Sequence, residues 1–195
     1  MNNEKLVPTS KNYKKLYSYQ KAEAIFDITY YFVHTYLRRG DRTIDQMQQA
    51  ARSGKQNIAE GSMDAATSKE MEIKLINVAK ASLIELYEDY MDYLRTRNYR
   101  IWEDASIEQN KMREIARKHN DSAFYMNLVK TRPPETIANI AICLLKQTDY
   151  LLAKYLEKLG SQFLKEGGFK ERMASLRLNN RKKDNNLYFK NTKSV

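Results

Sequence analysis

Apolar residues recur along this chain at intervals of three and four positions, which is the spacing of one face of an α-helix. Polar and charged residues fill the positions between them. No stretch of comparable length alternates residue by residue as a β-strand would. The pattern therefore predicts an all-α protein with four long helices, at about residues 17–38, 41–61, 67–97 and 134–159.

Local signals accompany these stripes. Thr67-Ser68-Lys69-Glu70 fits a capping box at the start of the third helix, with Thr67 as the N-cap residue. Pro133-Pro134 favours a new helix start at Pro134. Glycines follow three of the stripes and predict the ends of the first, second and fourth helices, at Gly40, Gly61 and Gly160.

Gly54 lies inside the second stripe rather than at its end. A glycine in a helix interior costs about 1 kcal/mol relative to alanine. Such a cost favours a packing role, in which a neighbouring helix approaches closely.

The helix order and the short connections of the first half predict an antiparallel up-down four-helix bundle, within residues 1–160. A charged connector at about 98–133 separates the third and fourth long helices, and weaker patterns predict short helices at 106–118 and 121–130. For residues 161–195 the sequence predicts a basic suffix and a flexible tail.

Charge is unevenly distributed. The net charge is +10, but the segments 1–40, 41–100, 101–160 and 161–195 carry +4, −1, +1 and +6. The ends are basic and the middle is nearly neutral. The one cysteine and two histidines disfavour disulfides and His- or Cys-built metal sites, and no apolar run reaches the length of a membrane span. The composition indicates a cytoplasmic protein without a bound metal or cofactor.

Several segments resemble the four helix bundle protein family, first noticed as reading frames within intervening sequences of bacterial ribosomal RNA genes. The resemblance covers about residues 16–97, and a suffix region found in some members is similar to the segment around Phe163 to Arg172. The matching stretches are Tyr19 to Ala22, Gln49 to Ser53, Asn57-Ile58-Ala59-Glu60-Gly61 and Ala81 to Leu86.

The resemblance implies an up-down bundle that assembles into cyclic homo-oligomers, often pentamers. One branch of the family, the accessory variability determinant of diversity-generating retroelements, is a basic barrel that binds nucleic acid and a reverse transcriptase. The resemblance thus implies RNA or DNA, a second copy of the chain and a reverse transcriptase as partners.

Basic residues near both ends are the candidate nucleic-acid contacts. Cations attract phosphates without regard to base identity, and aromatic side chains among them stack on unpaired bases. A solubilising tail, and tyrosines that serve the core or a subunit interface, are the alternative interpretations. The candidate contacts are Lys14, Lys15, Lys21, Arg172, Arg177, Arg181, Lys182 and Lys183.

An acidic stripe lies on the third helix, opposite its apolar face. Magnesium binding or acid–base chemistry there is less favoured than a solvated face or a seam with a basic neighbour. No catalytic motif surrounds Cys143, which we expect to be a small, half-buried filler. The stripe consists of Glu85, Glu88, Asp89 and Asp92.

The sequence therefore favours a non-enzymatic, oligomeric helical-bundle protein that binds nucleic acid with little sequence specificity. An accessory role beside a reverse transcriptase follows from the resemblance. The alternative is a protein–protein scaffold without nucleic-acid binding.

Overall fold

The computed structural model describes residues 12–64 and 68–166, and the isolated positions 174, 177, 178 and 181. All regular elements within these residues are helical, which confirms the predicted all-α class. A 3-10 turn at Tyr13–Lys15 precedes them. The helices are α1 (Tyr17–Tyr36), α2 (Arg42–Asp64), α3 (Lys69–Thr96), α4 (Ile107–Lys118), α5 (Ser122–Val129) and α6 (Pro134–Glu166).

Only one of the three predicted glycine stops lies outside a helix. Gly40 has a φ of +89° in the turn between α1 and α2, a conformation that suits glycine. The predicted ends at Gly61 and Gly160 are wrong, because α2 continues to Asp64 and α6 to Glu166. At Gly61 the missing side chain admits α3: an added Cβ would lie 3.2 Å from the Cβ of Leu75.

The start of α3 differs by one residue from the predicted capping box. Ser68 is the N-cap residue, and its hydroxyl accepts a hydrogen bond of 3.1 Å from the Met71 amide. Thr67 lies outside the described residues. The two short helices match their predictions, and Ser106 caps α4 through the Gln109 amide at 3.3 Å.

The long helices α1, α2, α3 and α6 contact one another in sequence, and α6 also contacts α1. The helices α3 and α6 run antiparallel, as two side-chain contacts between them show. Lys80 and Glu72 of α3 bond to Asp149 and Tyr155 of α6, so residue numbers rise along one helix as they fall along the other.

The predicted apolar stripes form the core. On α3 the residues Leu83, Leu86, Tyr90 and Leu94 are buried. The Tyr90 hydroxyl is satisfied inside the core, since it donates a 3.0 Å hydrogen bond to the Thr29 hydroxyl of α1. This interior polar pair fixes α3 against α1.

The connector between α3 and α6 is held onto α6 by a buried asparagine. The Asn139 side-chain oxygen accepts from the Trp102 amide at 2.8 Å, and its nitrogen donates to the Arg100 carbonyl at 2.9 Å. This bonded segment around residues 100–102, which we call the strap, brings α4 against α6. Ser122 of α5 donates a hydrogen bond to Asp27 of α1.

Candidate functional site

A cleft of about 670 Å³ lies where α1, α4 and α6 meet. Its volume falls in the range of sites that enclose a small molecule or one unit of a polymer. The cleft exists because the connector places α4 against α6. Its lining comprises Tyr17, Lys21, Gln109, Arg113, Ala116, Arg117, Lys118, Asn120, Cys143, Lys146, Gln147, Tyr150 and Leu151.

Of the described residues that line the cleft, five are cations and none is a carboxylate. Arg113, Arg117 and Lys118 are exposed, and none of them forms an ion pair among the described residues. Lys146 pairs with the exposed Asp104 at 2.9 Å. A one-sided charge distribution of this kind attracts anions and repels cations.

Lys21 is the most buried cation of the cleft, with 4% of its surface exposed. Its ammonium donates a 2.5 Å hydrogen bond to the Ala116 carbonyl, in the last turn of α4. No carboxylate among the described residues pairs with it. Burial lowers the pKa of Lys21 to about 8, because a low-dielectric environment disfavours the charged form.

Gln147 contributes a second buried donor. Its side-chain nitrogen is shielded from solvent and has no hydrogen-bond acceptor among the residues that the structure describes. A buried donor without an acceptor costs about 1–3 kcal/mol. The cleft therefore presents donors that the protein itself leaves available to an acceptor-rich ligand.

Two exposed aromatic side chains complete the lining. Tyr17 at the start of α1 is 63% exposed, and Tyr150 of α6 is 62% exposed. Exposed rings beside cations are the elements on which unpaired bases stack.

Cys143 lies in the wall of the cleft and is buried rather than half-buried as expected. Burial raises the pKa of its thiol to about 11. The reactive thiolate is therefore scarce at neutral pH.

The predicted contact residues are only partly brought together. Lys14 and Lys15 are exposed in the turn just before Tyr17, whereas Lys21 is buried in the cleft. Arg177 and Arg181 are exposed. Arg172, Lys182 and Lys183 lie outside the described residues.

The acidic stripe of α3 faces solvent at three of its four positions, while Asp89 is half-buried. Burial, with the negative charges of Asp92 and Glu85 beside it, raises the pKa of Asp89. Asp92 pairs with Arg95 at 2.8 Å. Across the described residues, no group of three or more potential ligands is arranged to hold a metal ion.

Sequence analysis missed most of the cleft. Arg113, Arg117 and Lys118 have a visible signal, since they share one helix of the charged connector, but nothing in the sequence places that helix beside α1. Nothing in the sequence marks Gln147 and Tyr150 as site residues. On α6 they look like residues of a solvent-facing surface, and only the packing of α4 against α6 places them in a cleft.

None of the described helices has the combined length and apolar character of a membrane span. No family model, no curated protein and no solved structure matches this chain.

Proposed function

We propose that this protein binds nucleic acid with little sequence specificity, and that the cleft between α1, α4 and α6 is its principal contact site. The observation that carries the proposal is the lining itself, which has five cations, two exposed tyrosines and no carboxylate. Cations neutralise backbone phosphates, and aromatic rings accept any base. The proposal assigns no reaction to the protein.

The exposed rings of Tyr17 and Tyr150 favour an unpaired strand over a duplex, because the bases of a duplex are already stacked on one another. An unpaired strand presents both phosphates and free base faces to such a site. The proposed ligand is therefore single-stranded RNA or DNA.

The proposed fold beneath the site is an antiparallel up-down four-helix bundle formed by α1, α2, α3 and α6. The closed order of contacts among these helices and the antiparallel pairs α2–α3 and α3–α6 support it. In this arrangement α4 and α5 are additions to the outside of the bundle.

The test is a salt series with the triple variant R113A/R117A/K118A. Binding of a fluorescent single-stranded oligonucleotide is measured between about 50 and 200 mM salt, where phosphate contacts weaken steeply. We expect the slope of log K against log salt to fall by about 2–3 in this variant, one for each lost phosphate contact.

The matched control is K74A/K111A/K158A. It removes the same charge from exposed positions of α3, α4 and α6 that do not line the cleft. Equal losses in both variants would indicate a general charge effect and contradict a cleft-specific site.

The basic tail is a proposed second contact. Neutralising Arg181, Lys182 and Lys183 together should weaken all sequences alike and lower the salt slope by about 2–3, because phosphate contacts carry no base identity. Lys14 and Lys15 extend the proposed surface from the turn before Tyr17.

We propose a homo-oligomeric ring for the assembled protein. The exposed acidic stripe of α3 favours a basic surface on a neighbouring copy outside the cleft, and contacts of this kind between identical chains can close into a ring. The family resemblance favours a pentamer and a reverse transcriptase as partner. Mass measurement in solution at micromolar concentration tests the assembly, and a monomer would exclude it.

The alternative is a protein–protein scaffold whose positive charge serves only solubility. It expects no oligonucleotide binding at physiological salt. The exposed acidic residues of α3 would support the scaffold alternative if they bind a basic partner protein and not a second copy of this chain.

A further inference from the structure

Two donors of the cleft are shielded from solvent, the ammonium of Lys21 and the side-chain nitrogen of Gln147. The cations on α4 are exposed. Lys21 has one hydrogen bond, to the Ala116 carbonyl, although an ammonium group has three N–H donors. The Gln147 amide nitrogen has none. Both groups therefore have N–H donors without an acceptor among the described residues, and a bound ligand could supply the acceptors.

The chemistry of these donors selects among the anions of a strand. A phosphodiester carries one negative charge and is flanked by sugars on both sides, so it reaches a buried donor only if the chain threads through. A terminal phosphomonoester carries about −1.5 to −2 charges at neutral pH and presents three acceptor oxygens. It also projects freely from the end of the strand.

The burial of Lys21 has an energetic consequence that the same ligand would relieve. A buried cation without a counter-ion is destabilised by the loss of hydration, and the carbonyl of Ala116 offsets only part of that loss. A dianionic group at this position supplies the missing counter-charge. The exposed Arg113 and Arg117 would then neutralise the next phosphate along the strand.

We propose that the cleft is an end-binding site, in which Lys21 and Gln147 hold the terminal phosphomonoester of a single strand. The proposal rests on the proposed function, since it names the part of the nucleic acid that the cleft takes. Tyr17 and Tyr150 are placed to stack on the first unpaired bases behind that phosphate.

The experiment compares four forms of one short oligonucleotide, all single-stranded and of the same sequence. They carry a 5′-phosphate, a 3′-phosphate, hydroxyls at both ends, or no ends because the strand is circular. A hydroxyl-ended strand one nucleotide longer controls for the added charge. Binding is measured by competition against a labelled strand.

We expect one phosphorylated form to bind about tenfold more tightly than the hydroxyl-ended strand, as a charge-assisted hydrogen bond to a buried donor allows. The form that gains identifies whether the site takes 5′ or 3′ ends. The circular strand should bind no better than the hydroxyl-ended one.

The variant Gln147→Leu should reduce the ratio between phosphorylated and hydroxyl-ended strands to that of the longer control strand. Gln162→Leu, the same change on α6 but away from the cleft, should keep the full ratio. Lys21→Met should lose the ratio as well, and its circular dichroism spectrum checks that the helix content of the protein is unchanged.

Equal binding of all four forms, with binding still dependent on Arg113 and Arg117, would overturn the end-binding proposal and leave the proposed function intact. A preference that Gln147→Leu and Lys21→Met both retain would also overturn it. Failure of every form to bind would overturn the proposed function itself.

Discussion

Leu83 occupies the space that a side chain at residue 54 would need. A Cβ added to Gly54 would lie 2.5 Å from Cδ2 and 2.6 Å from Cγ of Leu83, both well inside van der Waals contact. Gly54 thus lets α2 approach α3 closely around a core leucine. The packing role expected for this interior glycine is confirmed.

Gly54→Ala should lower the free energy of unfolding by about 1–3 kcal/mol, because overpacking a filled core outweighs the gain of about 1 kcal/mol in helix propensity. Gly160→Ala is the matched control, since nothing lies within 4 Å of a Cβ added there. That variant should be stabilised by about 0.5–1 kcal/mol. Urea denaturation measures both, and stabilisation of both variants would contradict the tight contact.

Leu83→Ala should cost about 2–5 kcal/mol, as truncation of a buried leucine does. The neighbouring Ile84→Ala should change stability by about 0.5 kcal/mol or less, because Ile84 is 47% exposed. In the double variant of Gly54→Ala and Leu83→Ala the added methyl group finds room. We therefore expect the two losses to sum to more than the measured loss of the double variant.

The helices were predictable from the sequence because their apolar faces repeat locally, and Leu83 and Gly54 both belong to such faces. The end of α2 was not, because Gly61 lies inside the helix where it contacts α3, and its neighbours in sequence do not show that contact. The end of α6 was not either, and among the described residues no contact at Gly160 explains why the helix continues past it. The cleft was unpredictable for the same reason as the end of α2. It joins Lys21 to Ala116 across 95 residues, and only tertiary packing brings them together.

Asn139 holds the strap that positions α4, so its loss should affect both stability and the cleft. It is almost fully buried, and its nitrogen donates to the Glu135 carbonyl at 2.9 Å as well as to the connector. Asn139→Ala should cost about 2–3 kcal/mol, because it leaves connector groups without partners.

The control for this change is Asn77→Ala, whose exposed side chain bonds only within α3, to the Ile73 carbonyl. It should leave stability and oligonucleotide binding nearly unchanged. If Asn139→Ala lowers stability but leaves oligonucleotide affinity at the wild-type value, the strap does not position the cleft.

Lys21 should make stability rise with pH between about 8 and 9.5. Its folded pKa of about 8 lies below the ordinary value of 10.5, so the unfolded chain binds more protons in this range. The contribution of Lys21 to the free energy of unfolding should then increase by about 1–2 kcal/mol across it. The Cys143 thiol, whose pKa burial raises to about 11, offsets part of this rise, because its unfolded form ionises in the same range. The window closes near pH 10, where unfolded tyrosines ionise, while burial holds the pKa of Tyr19 and Tyr125 at about 12 in the fold.

Lys21→Met should abolish this rise, whereas Lys74→Met, at an exposed position of α3, should retain it. Urea unfolding at closely spaced pH values provides the measurement. A rise of the same size in both variants would assign it to other groups.

Tyr17 and Tyr150 should contribute to binding of bases but not of phosphate alone. Replacing either by leucine removes a stacking surface, and each stacked base is worth about 1–3 kcal/mol, so affinity for single-stranded nucleic acid should fall about tenfold. Affinity for inorganic polyphosphate should remain nearly constant, because the cations of the cleft are unchanged. Tyr30→Leu is the control, since Tyr30 is 51% exposed and lies outside the cleft. Equal losses for polyphosphate and the single strand would show that the rings shape the cleft instead of stacking on bases.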